Sequence, residues 1–456
     1  MSDTTRYSRF LVTFLGIVVL LLCAVATFNF VVDPFQFFRK PVLYRPAYFP
    51  GFQRYQNVGL ARNYHYDTVI IGSSVTENFY PSYVNRALHV NALKLSISGS
   101  TAYEQALILD QAIASGQVKN VLWAIEPSSF SFGPKGVRDD QAPFPYYMYR
   151  RPRALNVEYL LAVETIRNSL VVLKGHGEHD LETLETWDRR LAFSVFHVLR
   201  AWNGRCEHFA RKFTPAALPG PPSLGAMEQS IEDNLIRVIR DNPRINFWLF
   251  FPPYSILAYV PGDSAQLIAQ IPFERAVMQR LAPFPTVRVF DFQLAAEVTH
   301  DLANYTDPVH YDRPINEWIV DSIASDRFRV TADQVEHNLA RLIREVNAYD
   351  LCRDRPDLLD SYPSATSQAG TRPRPNLRPT LAAAIPAIRP FQLARLTAWR
   401  HAVCQRVRDY PGPSRSPWRT GRLGRLDPAG SPTTAGRLQQ TIRLWLIDAA
   451  PGHHAA

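Results

Sequence analysis

Five short apolar runs, each followed by a stretch with helical spacing, limit what this chain can fold into. They are Asp67-Thr-Val-Ile-Ile-Gly72, Val90 to Ile97, Asn120-Val-Leu-Trp-Ala-Ile125, Arg244 to Phe251 and Val287 to Phe292. Several are apolar at consecutive positions, as in strands buried on both faces. Helical stretches fall at Pro81 to Leu88, Thr101 to Ser115, Ser264 to Leu281, Pro314 to Ala324 and Ala332 to Ala348. Pro81 suits a first helical turn, Gly116 closes the second helix, and Pro272 should interrupt the third. Strands alternating with helices predict an α/β fold with a parallel sheet covered on both sides. Residues 127–242 are too long for a crossover and read as a helical insertion, with helices near Val157 to Leu173 and Leu181 to Phe213 and a Pro/Gly-rich link, Pro215 to Gly225.

In an open parallel sheet, ligands bind beyond the carboxyl ends of the strands. The first run ends Gly72-Ser73-Ser74. A serine there, opening a helix, sits near free backbone N–H groups and suits a nucleophile whose product is an oxyanion; it equally suits a helix cap. The second run ends Ser96-Ile-Ser98-Gly99-Ser100, where Gly99 lets a backbone N–H approach a substrate oxygen. After the fifth comes Asn304-Tyr-Thr-Asp307-Pro-Val-His310-Tyr311. A serine nucleophile needs a base and the base an orienting carboxylate, and Asp307 can reach the His310 imidazole within one turn. Ser73, Glu126, Ser128, Tyr254 and Tyr311 follow strands or flank these motifs and are candidates for substrate contact or support. Gly175-His-Gly-Glu-His179-Asp180 has ligand-type residues but reads as a solvated loop, and no metal or organic cofactor is expected.

Taken together, these three motifs resemble those of the SGNH (GDSL-like) hydrolases. The resemblance covers about Asp67 to Ala324. It implies a flavodoxin-like sheet and a site acting on esters: Ser74 as nucleophile, Asp307 and His310 as the rest of the triad, and Ser74 and Gly99 as oxyanion donors. The Gly-Ser-Ser form, His310-Tyr311, and an apolar N-terminal segment followed by Asp33-Pro34 look more like the membrane-anchored envelope branch, with proteins similar to alginate O-acetyltransferases and the lipoteichoic acid D-alanylation protein. Where the family's third block carries an Asn that donates to the oxyanion, this chain has Glu126-Pro127-Ser128-Ser129. Losing such a donor costs on the order of 10²–10³ in rate. The implied activity is acyl esterase or O-acyltransferase chemistry on an envelope glycan or lipid-linked acyl substrate, with a membrane acyltransferase as a candidate partner. The alternative is a non-catalytic scaffold or glycan-binding protein.

Leu11 to Val32 has Thr13, Thr27 and Asn29 as its only polar members, with Arg6 and Arg9 before it and no basic residue after it until Arg39. That length spans a bilayer, and the charge pattern leaves residues 1–10 in the cytoplasm. A cleaved signal peptide is the rival reading, but its apolar region is usually shorter. The chain is therefore expected in the inner membrane as a single-pass protein, its body facing the periplasm or cell exterior. Residues 33–66 read as a juxtamembrane connection and 67–351 as the domain.

The formal net charge of +9 does not describe that domain. Residues 352–456 carry 16 Arg and 13 Pro but no Glu, a net of +10, leaving −1 for the rest. This tail reads as a disordered Arg/Pro-rich extension, as a basic arm, or as the product of a frame change. Nucleic acid is not an expected partner, because such binding conflicts with export. Cys206 is the only cysteine of the body outside the apolar span, so no disulfide is expected within the exported domain; Cys352 and Cys404 fall in the tail.

Overall fold

The computed structural model describes residues 3–139, 143–150, 156–186, 191–202, 206–210, 212–213, 224–260 and 265–360. Each of the five apolar runs contains a strand: β1 (Thr68–Ile71), β2 (Ala92–Lys94), β3 (Asn120–Ala124), β4 (Asn246–Phe251) and β5 (Val287–Asp291). All five are parallel, and the sheet order is β2-β1-β3-β4-β5-β6. The last strand, β6 (Arg329–Val330), is antiparallel to β5 and was not expected, because two residues with one charge carry no strand pattern. The register sets Ile70 opposite both Lys94 and Leu122, and Phe250 opposite both Ala124 and Phe290, so the carboxyl ends line up along one edge. Val69, Ile70, Val121, Leu122, Trp123, Leu249 and Phe250 are fully buried, as continuous apolar runs require.

The main helices are α1 (Asp3–Val32), α2 (Gln53–Asn63), α3 (Pro81–Leu88), α4 (Ala102–Ile113), α5 (Val157–Leu161), α6 (Val163–Leu173), α7 (Val195–Trp202), α8 (Ala265–Leu281), α9 (Arg313–Ala324), α10 (Val335–Ala348) and the short α11 (Leu351–Asp354). Pro81 opens α3, and a capping box between Thr101 and Glu104 starts α4. Within α1, Tyr7–Val32 is long and apolar enough to cross a membrane.

Several expectations need correction. Residues 33–66 are not a connection: α2 lies in the core, with Asn57 Nδ2 donating to Ser96 O at 3.0 Å and Arg62 Nη2 to Gln111 Oε1 at 2.6 Å. Pro272 does not interrupt α8. Leu267, Phe273 and Val277 are fully buried along it, and that packing outweighs the lost backbone hydrogen bond. Val157 to Leu173 is two helices, broken at extended Ala162. Of Leu181 to Phe213, the described helical parts are α7 and Glu207–Ala210. The insertion's last segment, Leu224–Ile231 with Arg237–Asp241, leads directly into β4, and the Pro/Gly-rich link lies almost wholly outside the described residues.

The domain also runs past residue 351. Cys206 and Cys352 form a disulfide with a Cα–Cα distance of 5.7 Å, closing a 146-residue separation. Asp350 caps α11 and Leu351 is buried, so the change in composition at residue 352 is not the edge of the fold. The pairing was missed because Cys352 was assigned to the tail by composition alone. From residue 361 onward, the readings of the tail concern residues outside those described.

Candidate active site

Gly72 follows β1 directly; its φ of +153° places it where side chains are disfavoured, and a Cβ there would lie 2.7 Å from Thr76 Cγ2 and 3.1 Å from Ala124 Cβ. The glycine lets the chain turn tightly against β3, and Ser74 begins a single 3₁₀ turn, Ser74–Thr76. Ser74 stands half-buried at the carboxyl edge.

The loop between residues 304 and 312 is held from several sides. Tyr305 pairs with Tyr311 in an antiparallel bridge, and Asp312 N donates to Asn304 O at 3.0 Å. Ser255 N donates to Pro308 O at 2.9 Å, and Tyr305 OH to Pro253 O at 2.7 Å, tying the loop to the segment after β4. Asn78 Nδ2 donates to Tyr311 O at 2.9 Å, tying it to the turn after β1. The insertion contributes as well: Ser194 N, just before α7, donates to Tyr305 O at 3.1 Å.

Residues 236 positions apart thereby meet. Ser74 Oγ lies 2.8 Å from His310 Nε2, and His310 Nδ1 lies 2.6 Å from Asp307 Oδ2. Asp307 Oδ1 accepts from the N–H groups of Val309 and His310, each at 2.9 Å. With the ring proton on Nδ1 facing the carboxylate, Nε2 is left to accept from the Ser74 hydroxyl. Burial acts to raise the Asp307 pKa, but the hydrogen bond and charge of His310 and the two backbone N–H groups outweigh it and hold the carboxyl below its ordinary value. The arrangement can activate a serine hydroxyl.

Behind the nucleophile is a second, buried group. Ser73 Oγ and Tyr254 OH both donate to the Glu126 carboxyl. Burial raises the Glu126 pKa, opposed by those two hydrogen bonds and by His310. Tyr254 is raised well above its ordinary value by burial and then by the Glu126 charge. Tyr311 is also buried, and its hydroxyl has no hydrogen-bond partner among the described residues. Ser128 is exposed, whereas Ser129 Oγ donates to Ser100 O at 2.9 Å. The segment after β3 therefore turns Glu126 and Ser129 inward and presents no side-chain amide.

Gly99 follows β2 with φ +57° and lines a cleft of about 510 Å³ together with Gln53, Arg54, Glu77, Ser98 and Arg138. The triad side chains are not among its walls; Gly99 and Glu77 join the cleft to the turn that carries Ser74. Gln53 was missed by sequence reasoning, yet it fixes this junction. Its Nε2 donates to Glu77 Oε1 at 2.6 Å and its Oε1 accepts from Ser98 N at 2.9 Å. Arg138 was also missed: a Cβ on Gly99 would lie 3.4 Å from its Nη1. The polar run Gln53 to Asn57 was the available signal for Gln53; Arg138 had none.

His179 Nδ1 lies 2.7 Å from Pro46 O, and Glu178 pairs through its backbone with Tyr48, so this ligand-rich run is anchored to the segment before α2. Among the described residues, no group of three His, Cys, Asp or Glu is arranged to hold a metal. No protein-family model matches the chain, and no curated protein matches it.

Proposed function

We propose that this chain is a membrane-anchored serine esterase or O-acyltransferase of the SGNH type, acting on an acylated glycan or lipid-linked acyl group of the cell envelope. The carrying observation is the unbroken relay from Asp307 through His310 to Ser74 at the carboxyl edge of a parallel sheet. The order 2-1-3-4-5 of the parallel strands, which is the flavodoxin-like order, supports the same reading.

As Ser74 Oγ bonds to the acyl carbon, His310 Nε2 takes the hydroxyl proton. The negative charge on the carbonyl oxygen faces the backbone N–H groups of Ser74 and Gly99. The imidazolium, held in place by Asp307, returns the proton to the departing alkoxide and leaves an acyl-serine. Water or a sugar hydroxyl then gives its proton to His310 and bonds to the acyl carbon, and as the acyl–Oγ bond breaks His310 returns that proton to Ser74. The apolar helix α1 favours a substrate at the membrane, in the inner membrane with the body outside the cytoplasm. The Cys206–Cys352 disulfide supports an oxidising compartment.

A second reading, a non-catalytic scaffold that serves a membrane acyltransferase, is favoured by one observation: the block after β3 offers buried Glu126 where an amide donor is expected. Acetate release from a chromogenic ester by the detergent-solubilised full chain separates the two. Ser74→Ala and His310→Ala should each lower turnover at least about 10³-fold. Wild-type rates in both variants would remove the triad, and no turnover by the wild type would leave the scaffold.

A further inference from the structure

The candidate span of α1, Tyr7–Val32, includes Arg9, so with Arg9 held at the cytoplasmic interface the apolar helix runs from Phe10 to Val32. At 1.5 Å per residue it rises about 35 Å, roughly one turn more than the hydrocarbon core of a bilayer, and that turn falls at the C-terminal end. That end is built into the body. Asn29, fully buried, donates through Nδ2 to Leu160 O at 2.7 Å and accepts from Ser169 Oγ at 2.9 Å. Asp33 accepts from Tyr159 OH at 2.7 Å and from the N–H groups of Phe37, Phe38 and Arg39. Arg39 Nη2 in turn donates to Phe30 O at 2.7 Å and Val31 O at 2.9 Å, capping the helix. α5 and α6 are thus fixed to α1 at the depth where it leaves the hydrocarbon.

These elements also turn apolar side chains outward. Val157, Val163, Leu170 and Leu173 are exposed on α5 and α6, as are Val42 and Leu43 in the loop after Arg39. On α6, Thr165, Asn168, Ser169 and Val172 face the body, while helical spacing puts Val163, Arg167, Leu170 and, just past its end, Lys174 on the opposite face. Exposed Arg45 adds to the positive charge; exposed Glu158 and Glu164 lie in the first turns of α5 and α6. Apolar residues flanked by Lys and Arg are what an interfacial helix presents to anionic headgroups.

We infer that α5, α6 and the Val42–Leu43 loop rest on the leaflet from which α1 emerges, an anionic lipid surface being their partner. The body is then held at a fixed height and tilt above the bilayer. This inference rests on the reading of α1 as a membrane anchor.

The test uses the full chain with Cys23→Ser and Cys404→Ser, carrying Leu170→Cys, Val42→Cys, Val19→Cys or Glu297→Cys one at a time. Each is nitroxide-labelled and reconstituted in phosphatidylethanolamine vesicles containing phosphatidylglycerol. Collision with oxygen reports lipid, and collision with a water-soluble nickel complex reports solvent. Labels at 19, 170 and 42 should favour oxygen, and the label at 297 should favour nickel. If 170 and 42 behave like 297 while 19 favours oxygen, the body stands off the bilayer and the inference is overturned alone. If 19 also favours nickel, the anchor reading fails and takes the inference with it. Each variant must retain the wild-type melting temperature, and Val163→Cys replaces Leu170→Cys if that variant does not.

Discussion

Asp307 shows how a carboxylate acts through position. Two backbone N–H groups fix one oxygen while the other meets His310, so the imidazole has one orientation before any substrate arrives. Asp307→Asn preserves the shape but favours the wrong tautomer, and kcat should fall on the order of 10⁴-fold with KM little changed. Steady-state kinetics on the chromogenic ester checks this, and an equal loss from KM alone would contradict it. Glu126 behaves in the opposite sense. Burial raises its folded pKa above the ordinary value, so its contribution to stability is present at acid pH and is lost as the pH rises through the raised pKa. Glu126→Gln carries no such loss. Its melting temperature relative to wild type should therefore climb from about pH 4.5 toward neutrality and above. Melting curves for the two proteins that stay parallel across that range would exclude the assignment.

At the scale of elements, the strands and the turns that carry Ser74 and Gly99 were legible because buried strands and glycine-bounded turns leave local patterns, and Asp307 was legible through its spacing from His310. The placement of α2 was not. Its sequence, Gln53 to Asn63, is mostly polar; Val58, Leu60 and Ala61 are buried in the core, but Gln53, Gln56, Asn57 and Arg62 are buried with them, Asn57 and Arg62 held by hydrogen bonds to Ser96 and Gln111. Gly59 records that packing: a Cβ there would lie 2.2 Å from Phe35 O. Gly59→Ala should destabilise the fold by about 1–3 kcal/mol, read from denaturant unfolding. An unchanged midpoint would mean that α2 does not sit against residue 35. The Cys206–Cys352 pair was illegible for another reason: spacing does not reveal connectivity, and residue 352 begins a stretch of different composition. A bridge over so long a loop contributes about 2–5 kcal/mol. Cys352→Ser, made together with Cys206→Ser, should lower stability by that amount. Wild-type stability in the pair would show that the bridge does not close the domain.

For the whole molecule, the insertion and the sheet edge converge on one loop. α7 supports the segment that carries Asp307 and His310, and α2 joins the cleft to the turn that carries Ser74. The apolar span was visible from composition, but its rigid seating on Tyr159, Leu160 and Ser169 was not, because those contacts join residues more than a hundred positions apart. The positive charge of the chain lies in residues outside those described, since residues 361–456 hold 14 Arg and 3 Asp. The proposed chemistry turns on Ser74 being an activated nucleophile. Its most direct test is peptide mass spectrometry after treating the folded full chain with a fluorophosphonate. A single adduct should form on Ser74 and disappear in His310→Ala; an unlabelled Ser74, or labelling indifferent to His310, would contradict an activated nucleophile there.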